Sequence, residues 1–208
     1  MFNNQKQLII VGAGGHGKSV KEIAISLNYN ILGFLDDHSE DKQVLGKIKD
    51  ISNFQNVFFA MGIGGIKNLK KRMELIETFH DQYSKFVNLI SPYALINNEV
   101  KLGIGNTIHP YVFINQEVII GNFCIINTRA TIEHDCQIGN NVHIATGAIL
   151  NGNVTIENNV MIGSGALLKN NIHICSDVII GMGSVVLNSI NEEGIYAGNP
   201  LKKINLLT

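Results

Sequence analysis

Broken into blocks of six from residue 108 to residue 150, the chain reads IHPYVF INQEVI IGNFCI INTRAT IEHDCQ IGNNVH IATGAI L, and every block opens on Ile or Leu. The same phase continues on both sides: Ile90, Ile96 and Leu102 precede the stretch, and Ile156, Ile162, Leu168, Ile174, Ile180 and Val186 follow it. Neither a helix period of about 3.6 nor plain strand alternation keeps one phase in six filled, whereas a hexapeptide-repeat parallel β-helix does, three hexapeptides making one triangular coil. Four residues after each aliphatic position the side chain is mostly small, as at Ala94, Cys124, Ala130, Cys136, Ala148 and Ala166, which suits the inside of a narrow prism. At about 18 residues per coil and about 4.8 Å per rung, the periodic region predicts roughly five coils, near 25 Å tall. Gly103, Gly121, Gly139, Gly163 and Gly181 follow the aliphatic position, where a corner needs positive φ or bare backbone.

In 208 residues the repeat leaves room for a second domain in front of it. The expected division is 1–87 for an α/β, Rossmann-like nucleotide-sugar-binding domain and 88–208 for the β-helix with a C-terminal extension. The formal net charge is −1 with no run of Lys or Arg, so no nucleic-acid footprint is expected. The apolar stretches near the N-terminus are strand-length, so no membrane role is expected and a cytoplasmic location is. The three cysteines, Cys124, Cys136 and Cys175, lack ligand spacing, and two sit in the small inner phase of the repeat, which predicts buried reduced thiols.

The N-terminal part opens as a βαβ unit. Gln7 to Val11 reads as a buried strand, Gly12 to Gly17 as a tight glycine loop, Lys18 to Leu27 as a helix, and Asn30 to Leu35 as a second strand ending in Asp36 and Asp37. The loop Gly12-Ala13-Gly14-Gly15-His16-Gly17-Lys18-Ser19 fits both the dinucleotide fingerprint and the phosphate-loop pattern. So short a domain cannot easily carry the second acidic strand of a phosphate-loop NTPase, and half a Rossmann sheet suits a mononucleotide or nucleotide-sugar better than a whole dinucleotide. Val57 to Met61 reads as a third strand, closed by Gly62-Ile63-Gly64-Gly65. An amphipathic helix from Ile66 to about Phe79 follows, whose Lys67, Lys70, Lys71 and Arg72 read as a solvated basic face. Phe86 to Ile90 reads as a last strand running straight into the first coil.

Among the seven histidines, His134 stands apart. It lies in Ile132-Glu133-His134-Asp135-Cys136, where acidic neighbours can fix its tautomer and stabilise an imidazolium, as a general base requires. One coil on from His134 is Gly152, which predicts open space beside the imidazole for a substrate. The same arithmetic puts His143 on another wall, from which a neighbouring subunit could bring it to the same cleft. Three-histidine zinc sites of the kind found in some hexapeptide proteins use an H-x-x-x-x-H pair, and His109, His134 and His143 contain none, so no metal is expected.

Taken together, Val11-Gly12-Ala13-Gly14-Gly15-His16-Gly17, Phe34-Leu35-Asp36-Asp37, the segment from Asn127 to Cys136, and Ala197-Gly198-Asn199-Pro200 resemble the hexapeptide-repeat sugar O/N-acyltransferase family. That family includes the N-acetyltransferases of nucleotide-linked 4-amino-4,6-dideoxysugars, bacillosamine-type enzymes among them. The resemblance spans the whole chain. It implies a left-handed β-helix, a homotrimer, acetyl-CoA as donor, a UDP- or dTDP-linked amino sugar as acceptor, and an active site between adjacent subunits in bacterial surface-glycan biosynthesis. By motif it implies His134 as base and Asp135, where relatives often carry Glu, as its orienting carboxylate. His143, Gly152, Ser164, Gly181 and Met182 would then line the acetyl-CoA site. Gly14, Gly15 and His16 would form the phosphate-side loop, with Asp36 and Asp37 as base or ribose contacts and Gly62 as a third-strand contact. Two further readings stay open on the sequence: an O-acetyltransferase of sialic acid or a related sugar, and a non-catalytic stabiliser of a sugar-biosynthesis enzyme.

Overall fold

The computed structural model describes residues 6–64 and 69–204. Gly65, Ile66 and Lys67, part of the expected third loop and of the following helix, lie outside the described residues. The N-terminal lobe is a parallel four-stranded sheet in the order β3-β2-β1-β4, built from β1 (Gln7–Val11), β2 (Asn30–Leu35), β3 (Val44–Gly46) and β4 (Phe58–Met61). α1 (Gly15–Ser26) covers one face and α2 (Leu69–Glu77) the other. β1 is apolar and is buried on both faces: Leu8 and Ile10 pack with Val20, Ile23 and Ala24, while Ile9 and Val11 pack with Ile48, Phe59 and Ile76. This two-sided burial is what a central parallel strand requires. β3 has three residues and no alternation, so its sequence carries no strand pattern.

The β-helix follows within a few residues: Phe86 bridges to Phe59 in the lobe, and Leu89 already pairs with Thr107 of the next coil. Every rung is in 18-residue register, as in Ile120↔Ile138 and Ile132↔Leu150. The first wall runs from Leu89–Ile90 to Val178–Ile180, the second from Leu95–Ile96 to Val185–Val186 and the third from Lys101–Leu102 to His173–Ile174. The walls have six, six and five rungs, so two of them exceed the five expected. In each rung the aliphatic residue points inward, and Ile108, Ile114, Ile126, Ile144, Ile162 and Ile180 are fully buried in one continuous core.

The corners differ from expectation in one respect. Positive φ falls on the third residue after the aliphatic position, at Asn141, Asn153, Asn159, Asn171, Asp135, Asp177 and several glycines, and even at Tyr111, Phe123 and Arg129. Asn and Asp tolerate the left-handed region better than other side-chain-bearing residues. The glycines directly after the aliphatic position serve instead for close stacking: a Cβ on Gly121 would stand 2.7 Å from the Gly139 carbonyl oxygen.

One prism residue belongs to the core of the lobe. Phe123 sits on a prism corner, yet its ring lies 5.1 Å edge-on from Phe86 and 5.3 Å from Tyr83 inside the N-terminal apolar cluster. Arg72 of α2, read as solvated from sequence, is 4% exposed. It donates to the carbonyls of Ile63 and Phe123 and to Asn141 Oδ1, while Asn141 Nδ2 donates to the Leu69 carbonyl.

Candidate active site

His134 projects from the corner where the chain leaves the second wall for the third. Its Nδ1 stands 2.7 Å from Asp135 Oδ2, and about half of each side chain is exposed. Asp135 reaches back to its neighbour's ring because it occupies the left-handed corner conformation, φ 61°. A carboxylate on Nδ1 holds the proton there and leaves the Nε2 lone pair free, the tautomer a general base needs. The space beside Gly152 is not open for a substrate, as the sequence suggested. A Cβ there would lie 2.6 Å from both Cε1 and Nε2 of His134, so the imidazole itself fills the gap and rests on bare backbone.

His143 is on the first wall, which the N-terminal lobe of the same chain covers. It is 5% exposed and neither ring nitrogen has a protein partner. Burial first, then the neighbouring Arg72 and His109, hold its pKa down to about 4. Ser164 and Met182 stack one above the other on the corner between first and second walls, and Met182 is 80% exposed. Gly181 is a packing glycine, its Cβ position lying 2.7 Å from the Ala197 side chain, whereas Gly183 at φ 66° opens onto free space. Ser164 and Met182 therefore line the edge by which the chain enters the second wall, and His134 the edge by which it leaves. Between them the wall's outward residues are Leu95, Phe113, Thr131, Ile149, Leu167 and Val185. Leu95 is 67% exposed, Ile149 39% and Leu167 38%, an apolar face left open by the described residues.

The glycine loop forms a second site. A pocket of about 620 Å³ opens at the carboxyl ends of β1, β2 and β4, lined among others by Gly14, Gly15, His16, Asp36, Asp37 and Gly62, where open α/β sheets bind ligands. Gly12, Gly17 and Gly62 are glycines because they jam together: a Cβ on Gly17 would meet the Gly12 oxygen at 2.0 Å and one on Gly62 would meet it at 2.7 Å. At Gly14 and Gly15 a Cβ would meet nothing within 4 Å, so there the bare backbone faces the pocket. Gly14 caps α1 without any side-chain hydrogen bond, and the first turn holds no acidic residue, so its N–H groups are free to receive an anion.

Lys18 is 64% exposed and pairs with Asp41 at 3.6 Å, so it does not act as a phosphate-loop lysine. Asp36 lines the pocket but already accepts N–H bonds from Ala13, His38 and Ser39. Burial opposes the charge on Asp36, yet these bonds keep its pKa below the usual value. Asp37 accepts from the Ile48 N–H.

Two residues of this region have a burial that the sequence reading does not assign them. His109, 3% exposed, stands 5.5 Å ring to ring from His16. The residue after the first-wall aliphatic position is Ser91, His109, Asn127, Ala145, Gly163 and Gly181 in successive coils, so His109 is the one large ring in a small-residue column. Arg72 shares a helix face with the buried Leu69 and Ile76, a spacing that marks it as inward. Among the described residues no helix is long and apolar enough to cross a membrane.

Comparison with known proteins places both halves. Residues 7–79 match the PglD N-terminal domain, and residues 117–152 and 153–188 match the bacterial transferase hexapeptide (six repeats). The acetyltransferase domain of PglB from Neisseria gonorrhoeae FA1090 is 30% identical at a TM-score of 0.88, over 96% of this chain and 100% of that one, and has also been solved in complex with acetyl coenzyme A. PerB from Caulobacter crescentus, in complex with CoA and GDP-perosamine, is 28% identical at a TM-score of 0.87, over 96% of this chain and 97% of that one. An uncharacterized protein, L142, of Acanthamoeba polyphaga mimivirus is 32% identical over 102 residues, 47% of this chain. The present chain spans only 20% of the length of that curated relative.

Proposed function

Because the chain belongs to the hexapeptide-repeat sugar O/N-acyltransferase family with a PglD-type N-terminal domain, we propose that it moves an acetyl group from acetyl-CoA to the C4 amine of a nucleotide-linked 4-amino-4,6-dideoxysugar. The observation that carries this reading is the His134–Asp135 pair, with Nδ1 held at 2.7 Å and Nε2 free, on the rim of an apolar wall. His134 Nε2 takes a proton from the amine as the nitrogen attacks the thioester carbonyl carbon; the C–S bond breaks and CoA leaves as the thiolate. Backbone N–H groups stabilise the oxyanion. The Gly14–Gly15 loop and the α1 N-terminus hold the diphosphate, with Asp36 and Asp37 on the nucleoside side of the pocket.

The assembly is a homotrimer in this reading. Ser164 and Met182 lie on one edge of the second wall and His134 on the other, so a single subunit does not bring them together. Packing the bare Leu95–Ile149–Leu167 face against a second copy buries it and sets the leaving edge of one subunit against the entering edge of the next.

The test measures CoA release with amine-bearing and hydroxyl-bearing acceptors of otherwise matched structure. Turnover is expected with the amine, and His134→Ala should lose at least 90% of it; preference for the hydroxyl acceptor, or an active His134→Ala, sinks the assignment. The acceptor amine must be uncharged to attack, so kcat at saturating acceptor is expected to rise with pH.

A further inference from the structure

Three imidazoles from two lobes lie close together in the interior. His16 comes from the first turn of α1; His109 and His143 come from the first wall of the prism. Among the described residues, His16 Nε2, His109 Nε2 and both nitrogens of His143 are buried without a hydrogen-bond partner. Behind them lies Arg72, fully buried, and among the described residues no carboxylate forms an ion pair with it. The other titratable groups around this space do not supply the missing anion. Asp36 is engaged by three backbone N–H groups and Asp37 by one, His38 lines the pocket rim, and burial pushes the Cys124 thiol near Arg72 up to about 12. Burial first, and then mutual proximity and Arg72, hold His16 at about 3, and His143 at about 4; burial alone holds His109 at about 4. At neutral pH the three imidazoles are therefore uncharged, and the Arg72 guanidinium close enough to act on His16 and His143 has no carboxylate partner among the described residues.

We propose that His16 and His109, backed by Arg72, form a proton-accepting seat for the diphosphate of the nucleotide-linked sugar, so that acceptor binding draws a proton from solvent onto this imidazole pair. The inference rests on the acceptor class argued above. His16 is the link: it lines the 620 Å³ pocket at the α1 N-terminus and faces His109 across 5.5 Å. A phosphate charge about 5 Å from an imidazole, at an effective dielectric of about 20, raises the imidazole pKa by roughly two. Two such charges lift a group from about 4 into the neutral range, and one proton then binds with the ligand. Affinity must accordingly fall as pH rises between the free and the bound pKa of the cluster and level off above the bound one.

The test is calorimetry of the full chain with UDP-, dTDP- and GDP-hexoses as probes, whose phosphodiester charges do not titrate between pH 6.5 and 8.5. Titrations at one pH in two buffers of different ionisation enthalpy should reveal uptake of up to one proton, and Kd should weaken by as much as tenfold per pH unit. His109→Gln should still bind and should lose most of the uptake, while His134→Ala, altered at the other histidine site, should keep it. Binding whose enthalpy ignores the buffer and whose Kd is flat with pH overturns the proton seat and leaves the acceptor class standing. If no nucleotide sugar binds, both fall. The wild-type measurement decides even if His109→Gln proves unstable.

Discussion

Gly152→Ala separates the geometry proposed for catalysis from the fold. The added Cβ would stand 2.6 Å from Cε1 and Nε2 of His134 and 3.2 Å from Nδ1. Carbon contacts settle at about 3.5–4.0 Å, so the ring must move by about 1 Å. A shift of that size stretches the 2.7 Å bond to Asp135 beyond hydrogen-bond range. A misplacement of about 1 Å in a catalytic group costs on the order of 100-fold, or about 2.7 kcal/mol of barrier. The fold should scarcely notice, because Gly152 is not in the left-handed region and the half-exposed ring can swing outward. Replacing Gly by Ala at a compatible position changes stability by about 1 kcal/mol or less. Steady-state CoA release should therefore fall about 100-fold with the urea midpoint nearly unchanged, and in His134→Ala the second substitution should add almost nothing. Full turnover by Gly152→Ala, or a loss explained by unfolding, would refute the view that this glycine exists to seat the imidazole.

Arg72→Met should cost about 3 kcal/mol or more in urea unfolding, because it strands the Ile63 and Phe123 carbonyls and Asn141 Oδ1 in the interior; a loss below 1 kcal/mol would contradict the assigned contacts. The double substitution Ile149→Glu, Leu167→Glu alters outward side chains only, so sedimentation should show smaller particles and CoA release should collapse while the secondary structure stays native. Stability should drop steeply in acid. His16, His109 and His143 titrate near 3 to 4 when folded against 6.5 unfolded, so the unfolded chain binds more protons between those limits. Stabilisation is thus complete above about pH 6.5 and is lost as pH falls toward 4, by up to about 1.4 kcal/mol per pH unit for each group, the partly pocket-facing His16 giving less. Urea midpoints at pH 7 and 5 that coincide would mean the three rings are not buried neutral.

The prism was the legible part of this chain because one repeated constraint, an aliphatic side chain filling the inside of each rung, acts on every sixth residue from Ile90 to Val186. β1, α1 and β2 were legible for a similar reason: their apolar runs are bounded by a glycine loop and an acidic turn. β3 was not, since Val44–Gly46 is held by its pairing with Phe34 and Leu35 and by no pattern of its own. Arg72 was misjudged on residue type although its spacing from Leu69 and Ile76 was inward, and His109 was passed over because its burial depends on a lobe that folds over it from far away in sequence. His134 and Asp135 could be singled out by their neighbours, but the role of Gly152 could not, because which way a corner side chain leans is decided by the rung stacked against it.

The ring of Phe123 gives the chain an indivisibility that its two-part sequence conceals. Its backbone is masonry of the solenoid while its phenyl group is a keystone of the other lobe, set against Phe86 and Tyr83. Such lobes are not interchangeable cassettes. A chimera joining this glycine-loop pocket to a foreign solenoid at the residue 87 junction would leave a phenyl-sized hole under Phe86, so any exchange of N-terminal lobes between relatives has to carry that corner with it.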